Sequence, residues 1–222
     1  MDILSTFKAR DILSARDPKE YQIYREQALQ SVREMQTLLE HASSESEKVH
    51  AQYFIVYYQA ILDTLPLLPP RLANIVTRDI LEFTGTKPRA RFIPLGGHTP
   101  GDALLHLPDD RILFLGDLLF VQAHPYFTDG NPNELCQTAA YIKELQADVL
   151  VPGHGPLGRV EDVDAMLGYF DEMQELVRHA IQAGVSQDVI AKGPIPAKYL
   201  TWIFPNFYEE NIQFLYQLYS KA

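Results

Sequence analysis

Apolar and polar positions follow three different rhythms along this chain. Between residues 18 and 65, Tyr24, Ala28, Val32, Met35 and Leu39 recur at three- and four-residue steps with Arg, Glu and Gln between them, which predicts an amphipathic helix. The polar run Ser43-Ser44-Glu45-Ser46-Glu47 reads as a turn into a second helix, whose face is Phe54, Tyr57, Ile61 and Leu65. Pro66, Pro69 and Pro70 stop that helix, because proline has no amide proton and clashes with the preceding turn. From Arg71 to Gly155 the rhythm shortens. Apolar runs at Asp79–Thr84, Arg91–Leu95, Ala103–Leu107, Arg111–Leu115 and Asp148–Val151 read as strands, separated by turn residues such as Gly85, Gly96-Gly97, Pro100-Gly101 and Asp109-Asp110. One helix interrupts them, with Asn133 as its expected N-cap and Leu135, Ala139, Ile142 and Leu145 as its buried face. After Pro156 the helical period returns: Val163, Met166, Phe170, Met173, Val177 and Ile181 form a stripe that ends at Gly184, an expected C-cap. A last helix carries Ile212, Leu215, Tyr216 and Tyr219.

The order helix, strands, helix, strand, helix predicts an α/β layered domain without internal repeats. It divides into a helical segment (residues 1–70), a β-rich segment (71–158) and a helical tail (159–222) of one domain. With 222 residues, 46% hydrophobic and 22% charged, the chain is long enough to bury a real core. A net charge of −10 and the lack of any Lys/Arg run argue against nucleic acid or an anionic membrane as partner. Asp2, Lys8, Arg10 and Asp11 break up the first residues, and no apolar stretch reaches the ~18–20 residues of a membrane span. Cys136 is the single cysteine, which excludes an intrachain disulfide and fits a reducing compartment. The expected location is cytoplasmic.

Three segments put a metal-ligand residue beside glycine at a strand end: Gly96-Gly97-His98-Thr99-Pro100-Gly101-Asp102, Leu113-Phe114-Leu115-Gly116-Asp117 and Val149-Leu150-Val151-Pro152-Gly153-His154-Gly155-Pro156. An apolar strand fixes the backbone, and glycine lets it turn sharply or approach another group closely. A neutral imidazole or a carboxylate is left at the tip, and both suit zinc, manganese or iron. Each segment alone has a plain reading as a turn or surface loop. The three together, in this order and spacing, are more specific.

Together they resemble the later motifs of the metallo-β-lactamase superfamily. Gly97-His98-Thr99-Pro100-Gly101-Asp102 is similar to that family's third-motif histidine loop, Gly116-Asp117 to its bridging aspartate, and Pro152-Gly153-His154-Gly155-Pro156 to its last metal histidine. The resemblance is firm over residues 78–160 and implies a partial αββα fold, mainly its C-terminal β layer with flanking helices. It implies that His98 ligates a first metal, Asp117 bridges and serves as the catalytic residue, and His154 ligates a second, with zinc as the cofactor in one or two ions. The family's opening motif, His-x-His-x-Asp-His, has no counterpart here: the other histidines, His41, His50, His106, His124 and His179, are isolated from one another. The expected protein is therefore a truncated or degenerate hydrolase of small esters, lactones or thioesters, with weak zinc binding and low activity. The alternative from another class is a non-catalytic remnant serving as an interaction or assembly module. The partner expected is a small-molecule substrate if the site is active, and a second copy through a sheet face left uncovered.

Secondary candidates keep two readings each. Asp102 and Thr99 either orient the His98 imidazole or close a turn. His124 either lines a substrate mouth or is a loop histidine, and His106, inside a strand, is either partly buried or at the surface. Cys136 reads as a small core residue rather than a nucleophile, since no His or cation flanks it. The Tyr53–Tyr58 cluster either packs the helix or caps a cleft.

Overall fold

The computed structural model describes residues 4–6, 8–9, 20–64, 72–85 and 88–220. They fall into two compact units, one formed by residues 1–10 with 74–222 and the other by residues 11–73.

The smaller unit is a helical hairpin, α1 (Glu20–His41) and α2 (Glu45–Thr64). Its turn is set by the polar run. Glu47 accepts from the Ser43 and Ser44 amides at 2.7 and 3.3 Å, while Ser44 Oγ accepts from the Glu47 amide at 3.2 Å. That reciprocal pairing is a capping box, and these hydrogen bonds hold the Glu47 carboxyl below its ordinary pKa. The buried contacts run through Ala28, Val32 and Ala51. The expected α1 face is kept except at Tyr24, 44% exposed, whereas the α2 face shifts from Tyr57, 49% exposed, toward Ala51 and Tyr58 while keeping Phe54 and Ile61. Leu65 and the three prolines lie outside the described residues.

The larger unit is built on a five-stranded sheet in the order β3 (Leu81–Phe83), β4 (Ala90–Pro94), β5 (Ala103–Leu107), β6 (Ile112–Phe120), β7 (Val149–His154). The first four strands run antiparallel and β7 runs parallel to β6. A short pair, β1 (Leu4–Thr6) and β2 (Ile75–Thr77), lies parallel in a second sheet; β1 falls in a segment whose sequence had suggested only helix. The β6–β7 crossover is α3 (Pro132–Glu144), and the chain then continues through α4 (Val160–Gln182), α5 (Gln187–Ala191), a 3-10 turn and α6 (Asn206–Tyr219). The cap of α3 is Asn131, not Asn133: its side chain accepts from the Asn133 and Glu134 amides, and Pro132 takes the first helical position, where its missing N–H costs nothing. The α4 stripe is buried as expected from Val163 to Val177, with Tyr169 added to it, while Ile181 is half-buried. Gly184, at φ +69°, ends the helix, and Val185 N–H reaches back to Ala180 C=O at 2.9 Å.

One sheet face carries Ile93, Leu104, Leu113 and Leu150, all buried, and the core continues through Leu135, Ile142, Met166 and Phe170 of α3 and α4. His106 shares that face, with its Nδ1 buried and unpartnered. Burial, with the Arg91 charge second, lowers its pKa.

Further polar groups sit deep among the aromatics. His124 is 0% exposed, with Nε2 3.2 Å from the Tyr199 carbonyl and Nδ1 2.9 Å from the Tyr169 hydroxyl. A carbonyl only accepts, so Nε2 carries the proton and Nδ1 accepts from the phenol. Asn211, also 0% exposed, accepts from the Phe127 amide at 3.0 Å and donates to the Pro125 carbonyl at 2.6 Å, tying α6 to the loop after β6. His124 is thus neither a mouth residue nor a free loop histidine.

Burial lowers the His124 pKa below its ordinary 6.5, so the neutral ring belongs to the folded state and the unfolded chain takes up a proton first. The stability this burial provides is complete above pH about 6.5 and is lost as pH falls from there through the depressed folded value, with a slope of at most ~1.4 kcal/mol per pH unit. Urea titrations at pH 7.5 and 5.5 should show the loss, and a His124→Gln variant should flatten it. An unchanged pH dependence in that variant would remove His124 as its source.

Candidate metal centre

Three strand-end loops meet at one edge of the larger sheet, and each is held by contacts legible in its own residues. The His98 loop follows β4. The Asp102 carboxylate accepts from the His98 and Thr99 amides, both at 2.8 Å, and from Thr99 Oγ1 at 2.5 Å. Asp102 therefore closes the turn and fixes the His98 backbone. The loop's carbonyls are fixed from α3: Thr138 Oγ1 donates to Gly96 C=O at 2.6 Å, and the Asn131 amide donates to Gly97 C=O at 3.0 Å.

Asp117 lies inside β6, which runs on to Phe120 rather than stopping at Leu115 as the turn reading of Gly116-Asp117 had suggested. The continuous run Leu118-Leu119-Phe120-Val121 was the signal for that extension. At Gly116, φ is +52° and the register against β7 slips, so a bulge re-aims the next side chain. His154 ends β7, where its carbonyl accepts from the Val121 amide at 3.0 Å.

The three side chains come together. Asp117 Oδ2 is 3.6 Å from His98 Nε2, and Asp117 Oδ1 is 3.5 Å from His154 Nε2. The carboxylate lies between two imidazoles, one oxygen toward each. Phe120, buried at 3% exposure, lies against both rings, with centroids 5.7 Å from His98 and 5.1 Å from His154. Phe204 meets the His154 ring edge-on at 5.1 Å. Sequence reasoning missed both phenylalanines, since Phe204 lies far along the chain and carries no motif. His98 is 14% exposed, against 41% for Asp117 and His154, so the pair at β7 faces solvent.

The donor types suit zinc, with imidazole nitrogen and carboxylate oxygen within reach of ~2 Å bonds to shared ions. Their number is short. Among the described residues no group of three or more His, Cys, Asp or Glu side chains is arranged to hold one ion. The geometry is two pairs sharing Asp117, so an ion held at either pair would have two protein donors where catalytic zinc sites have three. Cys136 adds none. It is exposed, a correction to the core reading, and partial desolvation followed by the Asp171 charge raises its thiol pKa.

A model of the metallo-beta-lactamase superfamily matches residues 8–154, about two thirds of the chain. The chain belongs to the metallo-beta-lactamase superfamily. One solved structure agrees in fold. A metallo-beta-lactamase family protein from Thermus thermophilus aligns at TM-score 0.50 with 17% identity, over 69% of this chain and 50% of that one. A metallo-beta-lactamase from Pontibacter korlensis aligns at TM-score 0.41 with 21% identity, over 44% and 48%. The chain thus spans about half the length of the structures it matches. No curated protein matches it. The mixed α/β sheet with flanking helices is the part of the superfamily fold that the resemblance implied. Among the described residues no helix is long and apolar enough to cross a membrane.

The approach of β7 to Asp117 depends on Gly153. A Cβ there would lie 1.9 Å from Asp117 Oδ1 and 2.7 Å from the Gly116 carbonyl carbon. Gly153→Ala should therefore displace the carboxylate and cost about 1–3 kcal/mol, as overpacking does. Gly168→Ala on α4, where nothing lies within 4 Å, should gain about 0.5–1 kcal/mol. Thermal melts of the two variants against the parent check both signs.

Proposed function

We propose that this chain carries the Asp117-centred portion of a hydrolytic metal centre for small esters, lactones or thioesters. The observation behind the reading is the carboxylate with one oxygen toward each of two imidazoles, at 3.6 and 3.5 Å. His98 and Asp117 would hold one ion, Asp117 and His154 the other. When bound, such an ion supplies an activated water near neutral pH and polarises the carbonyl under attack. The protein's own residues fix donor positions: Asp102 through the His98 backbone, Phe120 by packing on both rings, and Gly153 by leaving room for the carboxylate. Two donors per position give weak binding, because affinity follows ligand count and geometry.

Metal analysis after dialysis should find substoichiometric zinc, and titration should find saturable binding weakened at least about tenfold in Asp117→Asn and His154→Ala. Slow turnover of a lactone and thioester panel should depend on added zinc. Zinc uptake indifferent to both substitutions would refute the centre. Near-stoichiometric zinc with robust turnover would replace the two-pair reading with a complete mononuclear site.

A second reading, a non-catalytic assembly module, is favoured by one feature. Leu81, Phe92, Leu105, Phe114 and Val151 stand in register across all five strands, on the face opposite the buried Leu104 and Leu113. Phe114 is 41% exposed. An unbroken apolar row of this kind marks an interface more often than free surface, and a second copy offers the matching face. Sedimentation across a concentration series should then show a dimer that Phe114→Lys dissociates. A monomer at every concentration, together with zinc-dependent turnover, would set this reading aside.

A further inference from the structure

An aromatic strip leads away from the candidate centre. Phe204 meets His154 at 5.1 Å, Phe207 meets Phe204 at 5.5 Å, and Tyr126 meets Phe207 at 5.0 Å. All three residues are half-buried rather than enclosed in the core. The backbone groups on either side of Tyr126, the Pro125 carbonyl and the Phe127 amide, are both taken by Asn211.

The first ring is held against local preference. Phe204 has φ +63°, a left-handed conformation that side chains beyond glycine rarely adopt. The backbone on its N-terminal side is fixed from outside: Ile203 N–H donates to Gln122 C=O at 3.1 Å, and His124 N–H donates to Ile203 C=O at 2.9 Å. Gln122 itself lies at φ +52°. On its C-terminal side the Phe204 carbonyl accepts from the Phe207 amide at 3.0 Å, at the start of α6. Two strained residues flanking one strand-like bridge place the Phe204 ring beside His154, and glycine at 204 would relieve the strain while losing the ring. Strain kept by surrounding structure at the rim of a site points to a role for the side chain it positions.

We propose that Phe204, Phe207 and Tyr126 form an apolar subsite that takes the aryl or medium-chain acyl portion of the substrate, with its reactive carbonyl group toward His154 and Asp117. This deepens the hydrolase reading and rests on it for the placement of the carbonyl, whereas the apolar recognition itself needs no metal. Rings along one side of a bound chain favour phenyl and alkyl groups over a bare methyl.

The test is amide-resolved NMR titration of the full chain, zinc-free and zinc-supplemented, with phenylacetate, hexanoate and acetate as probes. Phenylacetate and hexanoate should bind and shift the amides of residues 126–127, 204 and 206–208 in both conditions, with acetate weaker by at least about fivefold. Phe207→Ala and Phe204→Gly should each lose about five- to tenfold in phenylacetate binding, and Phe204→Gly should melt no lower than the parent. A loss of binding in Phe204→Leu smaller than in Phe204→Gly identifies apolar surface at this position. Equal affinity for acetate and phenylacetate, or shifts confined to other residues, would overturn the subsite. Apolar binding that persists while zinc uptake proves indifferent to Asp117→Asn would uphold the subsite and separate it from a failed metal centre.

Discussion

The site depends on how closely two parallel strands approach where one carries a carboxylate and the other has no side chain. β6 and β7 pair in parallel from Ile112 to Phe114, then slip at Gly116, and the Asp117 oxygen occupies the space that a Cβ at residue 153 would need. The steric requirement fixes Asp117 relative to β7 and hence to His154 at its end. His98 arrives independently, on a loop whose backbone is held by Asp102, Thr138 and Asn131. The convergence therefore has two sources: a strand–strand approach for one pair, and a hydrogen-bonded loop for the other.

Much of this was legible in the sequence because it is local. Glycine beside a ligand residue at the end of an apolar run states its geometry within a few residues, and the three motifs did meet in space. The α4 stripe from Val163 to Val177 and its stop at Gly184 were equally readable, since period and C-cap are properties of consecutive positions. The bulge in β6 was not, because Gly116-Asp117 reads equally as a turn, even though the apolar run after it carries the strand on to Phe120.

What escaped was non-local. His124, Tyr169 and Asn211 look like a loop histidine, a stripe neighbour and a helix-face amide, yet in the core His124 meets Tyr169 across 45 residues and Asn211 meets Pro125 across 86. Polar residues give no periodic sign of burial, since what permits it is a partner elsewhere in the chain. The choice between Asn131 and Asn133 as the cap turned on Pro132, whose tolerance at a first helical position outweighs its general role as a breaker. In the hairpin, the buried side of α2 runs through Ala51 and the half-buried Phe54, Tyr58 and Ile61, so that it differs from the expected face chiefly at Tyr57.

The attachment of the hairpin unit has an evolutionary consequence. Residues 11–73 leave after β1 and return before β2, and those two strands are parallel neighbours in register from Leu4–Ile75 to Thr6–Thr77. The segment is thus closed between two strands that pair with each other. A closed segment adds closure entropy only logarithmically with length, about 0.6 kcal/mol per doubling. Insertions and deletions in it can accumulate at small thermodynamic cost, without moving the anchors, while β4, β6 and β7 keep their positions. Lineages sharing this arrangement are free to diversify the segment in length and surface chemistry faster than the strands that bear His98, Asp117 and His154.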